Sequence, residues 1–151
     1  MKIGHFLRTE SIFLNVDLPD KDAVIRFAAD MFAQHGVVKN SASIYAGLKS
    51  REEILSTGIG NGIGIPHTDS AEATNAALLL LRLAKPIDFG ALDALPVDVV
   101  LAVVVPDNNS VLHLQMLAGI SRLCRKTDFL KAVREAETPR SLLLKINELE
   151  G

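Results

Sequence analysis

A chain of 151 residues, 48% hydrophobic and 23% charged, can bury the core of a single domain spanning 1–151 and lies outside the compositional range of disordered proteins. A net charge of −2, with lysine and arginine scattered and no basic stripe interleaved with aromatics, speaks against nucleic-acid binding. Cys124 is the only cysteine, which excludes an intrachain disulfide and a multi-cysteine zinc site, and its apolar neighbours suit a small buried hydrophobe. Residues 1–8 carry charges around a very short apolar patch, unlike a signal peptide, and the apolar run Val99 to Val105 is too short to cross a bilayer. These features predict a cytoplasmic protein without membrane insertion.

The first elements are a strand or entry segment at Phe13 to Val16 and then a long helix. Asp20 is placed as N-cap, apolar residues follow at Val24, Phe27, Ala28, Met31 and Phe32, and Gly36 stands where a helix ends. A second helix is predicted from about Ser41 to Leu55 with Ile44, Leu48 and Leu55 on its apolar stripe, and Arg51 on the same stripe. A glycine-rich loop comes next. Two runs, Ala77 to Leu81 and Val99 to Val105, lack polar alternation and read as strands buried on both faces. Ser110 is expected to cap a helix carrying Val111, Leu114, Leu117, Ala118 and Cys124. Thr127-Asp128 starts another, and Thr138-Pro139 opens the last. Helices, then strands, then helices imply an α/β (α+β) fold, a three-layer αβα sandwich around a mixed sheet.

Residues 51 to 67 hold the most informative pattern. Gly58, Gly60, Gly62 and Gly64 alternate through it, and it ends on Pro66-His67. No Gly-Lys-Ser/Thr follows at P-loop spacing, and Ile63 stands where a dinucleotide fingerprint needs its third glycine. A tight structural loop is the plain alternative. Pro66 fixes the backbone just before His67, which presents an imidazole at a defined place. An imidazole partly neutral near neutral pH can attack or shuttle protons. A metal site would need His67, Asp69 and His113 to converge, and no ligand spacing supports that.

Arg51 admits two readings, a snorkelling side chain that favours the helix C-terminus or a donor fork for phosphate or carboxylate. His113, in the first turn of its helix, is either an amphipathic surface residue or a second imidazole beside the same anion. His5 and His35 have no comparable context.

The segments Arg51-Glu52-Glu53, Ser56-Thr57-Gly58-Ile59-Gly60-Asn61-Gly62-Ile63 and Ile65-Pro66-His67 resemble the signature of enzyme IIA domains of the phosphoenolpyruvate phosphotransferase system, in the fructose/mannitol/nitrogen-regulatory branch. Pro86-Ile87-Asp88-Phe89, Leu95-Pro96-Val97-Asp98, Val105-Pro106 and His113-Leu114 extend the resemblance over essentially the whole chain. It implies the enzyme IIA fold, with His67 as the phosphorylated residue, Arg51 as the active-site arginine and His113 as the second active-site histidine. Two departures stand out. The family commonly has Ala at Gly64, and often Gly-Lys at Thr68-Asp69, so the acidic Asp69 bears on partner choice rather than on chemistry.

The implied function is a phosphotransferase that needs no cofactor, because transfer between histidines requires positioning and charge stabilisation rather than a metal-bound nucleotide. Glycine-loop N–H groups are expected to add donors. The implied partners are a phosphorylated histidine carrier (HPr or NPr) and either regulatory targets or a IIB domain. A nitrogen-type regulatory protein is the first reading and a sugar-type IIA subunit the second. A binding module on the same fold without phosphotransfer is a third, and the joint presence of Arg51, His67 and His113 speaks against it.

Overall fold

The computed structural model describes residues 1–151. Two short 3-10 turns, Ile3–Phe6 and Thr9–Ser11, lead into β1 (Ile12–Val16). Helix α1 (Lys21–Gln34) begins where Asp20 accepts a 2.8 Å hydrogen bond from the Ala23 N–H, and it ends ahead of Gly36 at φ +75°. Helix α2 (Ser41–Ile54) is capped by Asn40, which accepts from the Ser43 N–H at 3.2 Å. Both caps satisfy donors that the first helical turn leaves unpaired.

The glycine-rich segment is not a free loop. It forms β2 (Gly58–Gly60), β3 (Ile63–Gly64) and β4 (His67–Ser70), followed by β5 (Ala77–Ile87) and β6 (Val97–Pro106). One mixed sheet results, in the order β1-β5-β6-β3-β2, with β4 also paired to β6. β5 and β6 are antiparallel, while β1 runs parallel to β5 and both β3 and β4 run parallel to β6. β5 is longer than the expected strand and continues through Pro86, which lies within a register irregularity between Arg82 and Ile87. Pro86 can belong to it because it lies beyond the regular ladder.

Helices cover both faces, as the unalternating strands imply. Leu79, Leu81, Val100, Ala102 and Val104 pack with α1 and α2, while Leu78, Leu80, Val99, Leu101 and Val103 point the other way. That second face carries α3 (Ser110–Cys124), α4 (Thr127–Glu135) and α5 (Pro139–Glu150). The period of two along a strand distributes neighbouring residues between two cores. This is the αβα sandwich.

Two helical expectations are corrected. Asn109, not Ser110, caps α3 by accepting from the Leu112 N–H at 3.1 Å. The buried face of α3 is Met116, Gly119, Ile120, Leu123 and Cys124, whereas Val111 and Leu114 are 64% and 68% exposed. In α2 the buried row is Ile44, Leu48 and Glu52, so the stripe continues at i+4 and i+8 to a carboxylate, and Leu55 is 54% exposed. No helix is long and apolar enough to cross a membrane.

Candidate active site around His67

β3 and β4 lie end to end along one edge of β6 in a single register, with Ile63 opposite Val99 and His67 opposite Val103. Pro66 interrupts this line because it has no N–H to give, yet its carbonyl still accepts from the Val103 N–H at 2.9 Å. His67 therefore opens β4 at a position fixed by the ladder. Its pairing with Val103 turns its side chain to the face that α3 covers, and His113 stands there in the first turns of α3. The two rings meet edge to face, with centroids 5.5 Å apart and planes at 85°. Arg51 approaches from the last turn of α2, half-buried, with Nη1 donating to the Leu55 carbonyl at 3.1 Å. One donor of the guanidinium thus closes its own helix end, leaving other N–H groups of the fork for an anion.

The nitrogen chemistry of His67 is set by a single contact. Its Nδ1 lies 2.7 Å from the Ile65 carbonyl oxygen, which has no proton to give. Nδ1 must carry the hydrogen, and Nε2 is left with its lone pair. Burial pushes the imidazole below its ordinary value, and the charges of Arg51 and His113 push the same way, against the Ile65 carbonyl and Glu52, which raise it. The neutral, nucleophilic form is favoured near neutral pH.

Glu52 is the residue that the sequence reading left without a role. At 8% exposure it is one of few buried polar side chains. It pairs with Lys21 Nζ at 2.6 Å, accepts from the Thr57 N–H at 3.0 Å and accepts from Thr57 Oγ1 as well. Burying a polar group is costly unless it is hydrogen-bonded, and these partners satisfy both of its oxygens. The signal available in the sequence was its place on the Ile44–Leu48 row.

The glycines serve packing and turn geometry. Asn61 and Gly62, at φ 57° and 82°, make the two-residue turn between β2 and β3, the left-handed pair that the strand twist favours. A Cβ on Gly64 would sit 2.9 Å from the Phe89 ring. The expected phosphate-binding N–H groups are in part committed to the fold: Gly58 N–H donates to Ser56 Oγ, Asn61 N–H to Asp93 and Ile65 N–H to the Thr57 carbonyl.

A hollow of about 300 Å³ beside His113 is lined by Asp69, Pro106, Asn108, Asn109 and Ser110 as well as the imidazole. A larger groove of about 1030 Å³ lies elsewhere, against the β2–β3 turn, the end of α3 and α4, and does not include His67. The chemistry of the side chains, not the size of a cavity, marks the site. No group of three or more His, Cys, Asp or Glu side chains converges, so a metal shared by His67, Asp69 and His113 has no geometric support. Burial pushes the Cys124 thiol up to about 12, consistent with an inert core residue.

Residues 5–148 match the family model described as phosphoenolpyruvate-dependent sugar phosphotransferase system, EIIA 2. The chain belongs to that family. It is a phosphotransferase component in which EIIA domains accept phosphoryl groups on histidine. The EIIA chain is 33% identical over 142 residues to a nitrogen regulatory protein of Pseudomonas aeruginosa, covering 94% of this chain and 92% of the relative. It is also 29% identical over 148 residues to the fructose-specific EIIABC component of Bacillus subtilis, covering 98% of this chain and 23% of that longer protein. Among solved structures, the nitrogen regulatory protein IIA-Ntr of Neisseria meningitidis superposes with a TM-score of 0.88 at 24% identity, over 95% of this chain and 98% of that one. At that identity the likeness shows the fold.

Proposed function

We propose that His67 is the phosphoacceptor of this EIIA domain, that Arg51 and His113 hold the phosphoryl oxygens, and that residues 1–151 work as one cytoplasmic, nitrogen-type regulatory phosphocarrier. The donor is a phosphorylated histidine carrier, HPr or NPr. One observation carries the reading: the Nδ1–H of His67 is committed to the Ile65 carbonyl at 2.7 Å, so the bare Nε2 is the ring's nucleophile. As the Nε2–P bond forms, the N–P bond of the carrier breaks and its electron pair returns to the carrier nitrogen. Nδ1 keeps its proton, and the Ile65 oxygen stabilises the positive charge that the ring acquires. Arg51 and a donor nitrogen of His113 neutralise the charge spread over the phosphoryl oxygens, the main demand of this kind of transfer.

The rim supports docking of a protein donor. Val111 and Leu114 flank His113 on α3, while Ile54 and Leu55 follow Arg51 at 80% and 54% exposure. Exposed apolar side chains around a polar centre suit a protein–protein contact. The nitrogen-type assignment draws support from the similarity to the Pseudomonas aeruginosa protein across nearly its full length. A sugar-type role, with onward transfer to a IIB domain, is the second reading, favoured by the similarity to the EIIABC component.

Incubation with phosphoenolpyruvate, enzyme I and either HPr or NPr, followed by intact mass, tests the assignment. One phosphate is expected on the wild type, acid-labile and base-stable, and none on His67→Ala. Full occupancy of the variant would move the site away from His67.

A further inference from the structure

A run of hydrogen bonds joins a half-buried ion pair, its carboxylate buried and its lysine partly exposed, to the ring of His67. Lys21 Nζ reaches Glu52 Oε1 at 2.6 Å, and the Thr57 N–H donates to the same oxygen at 3.0 Å while Thr57 Oγ1 donates to Oε2. The Thr57 carbonyl accepts from the Ile65 N–H at 3.0 Å, and the Ile65 carbonyl accepts from His67 Nδ1 at 2.7 Å. Glu52, Thr57 and Ile65 are all buried. Ile65 lies in the break between β3 and β4, where its N–H turns to Thr57, while Gly64 before it and His67 after it are in register with β6.

We infer that Glu52 is a positioning residue for phosphoryl transfer: anchored by Lys21, it fixes Thr57, and through Thr57 it fixes the Ile65 carbonyl that sets the tautomer and angle of the His67 ring. This rests on His67 being the phosphoacceptor. Stability alone is a poor reason for the pair, since a well-packed hydrophobic substitute for a buried ion pair is often as stable or more so. A carboxylate that receives both the N–H and the hydroxyl of one residue restrains that residue in two directions, and charge-assisted bonds are the stronger kind. Lys21 adds a second restraint by donating to the Phe89 carbonyl at 2.9 Å, and the Phe89 ring abuts Gly64, three residues before His67. The charged groups acting on His67 are Arg51 and Glu52 from α2 and His113 from α3, with Asp69 further along its own strand. The charge of Glu52 raises the affinity of His67 for a proton.

The test uses the full 151-residue chain. Glu52→Gln keeps the shape of the side chain and removes its charge. With phosphorylated HPr or NPr as donor, whichever charges the wild type, the single-turnover rate at saturating donor is expected to fall about tenfold or more, because small misplacements of a reacting group carry such penalties. The half-saturating donor concentration stays within about twofold, since Glu52 is buried away from the docking rim. Nitrogen-15 spectra of His67 are expected to show a smaller Nδ1–H population and a lower titration midpoint. A folded Glu52→Gln with the wild-type rate, tautomer and titration would reduce Glu52 to a structural residue. Should that variant not fold, Thr57→Val against Thr57→Ser decides: valine is expected to slow transfer and serine to retain it, and equal rates would overturn the inference. Phosphate found on another residue of the wild type would defeat the proposed function, while the His67 spectra would still report whether Glu52 orients the ring.

Discussion

At the scale of single residues, the proposed transfer depends on which nitrogen carries a proton and which cation meets the phosphate. Replacing Arg51 with lysine keeps the charge and the fold but loses the planar fork, and transfer is expected to slow by about ten- to a hundredfold in single-turnover measurements. Wild-type rates would return Arg51 to a helix-capping role, part of which is visible in its bond to the Leu55 carbonyl. The depressed imidazole of His67 also has a sign in stability. Its folded value lies below the ordinary value of about 6.5, so the unfolded chain binds more protons between the two values. The contribution of His67 to stability is therefore fully present above about 6.5 and is lost as pH falls through the folded value. Urea unfolding of the wild type and His67→Gln from about pH 8 to about pH 5 is expected to show the wild type losing stability faster toward acid. Parallel curves would contradict the burial-driven shift. Helix periodicity singled out Arg51, and the glycine run ending on proline singled out Pro66 and His67, but Glu52 was passed over because a glutamate at a helix end reads as solvated until its partners are known.

Among the elements, the β2–β3 hairpin and the start of α3 carry the most specific expectations. Gly62 sits at φ +82°, and an added Cβ would lie 2.6 Å from both Arg134 Nη2 and Asp98 Oδ1, which form an ion pair. Gly62→Ala is therefore expected to cost about 1–3 kcal/mol in chemical unfolding, from backbone strain and displacement of that pair. A neutral result would mean that the hairpin turn is not rigid. Val111 and Leu114 present the opposite case. Both are exposed, so Val111→Ser with Leu114→Ser is expected to change stability by about 0.5 kcal/mol or less per site. The same double variant is expected to raise the half-saturating carrier concentration by about tenfold or more, as loss of central apolar contacts does. An unchanged value would place the docking surface elsewhere. Helical spacing named both among the apolar residues of α3 without choosing its buried side, and the sheet selected the side bearing Met116, Ile120 and Leu123.

For the whole molecule, phosphorylation adds about −1.5 to −2 charges to a chain of net charge −2, and it adds them on the strand face that also bears Asp69. Pull-downs with wild type, His67→Ala and His67→Asp are expected to recover a regulatory target differently according to that charge. Recovery of IIB permease components alone, with efficient relay of phosphate to them, would favour the sugar-type role instead. The sequence by itself determined the αβα class, because its unalternating strands require cover on both faces and its capped amphipathic helices supply it. It also singled out His67 as the candidate chemical centre, since a proline-fixed histidine after a run of glycines is a local pattern. Only the tertiary structure decided that the glycine segment is part of the sheet, that Asn109 rather than Ser110 starts α3, and that Glu52 belongs to the core. The first and last of these depend on partners distant in the chain: β6 for His67, the Phe89 ring for Gly64 and Lys21 for Glu52. A local pattern states what a residue prefers, but the energy of a buried charge or an edge strand is set by what the fold brings against it.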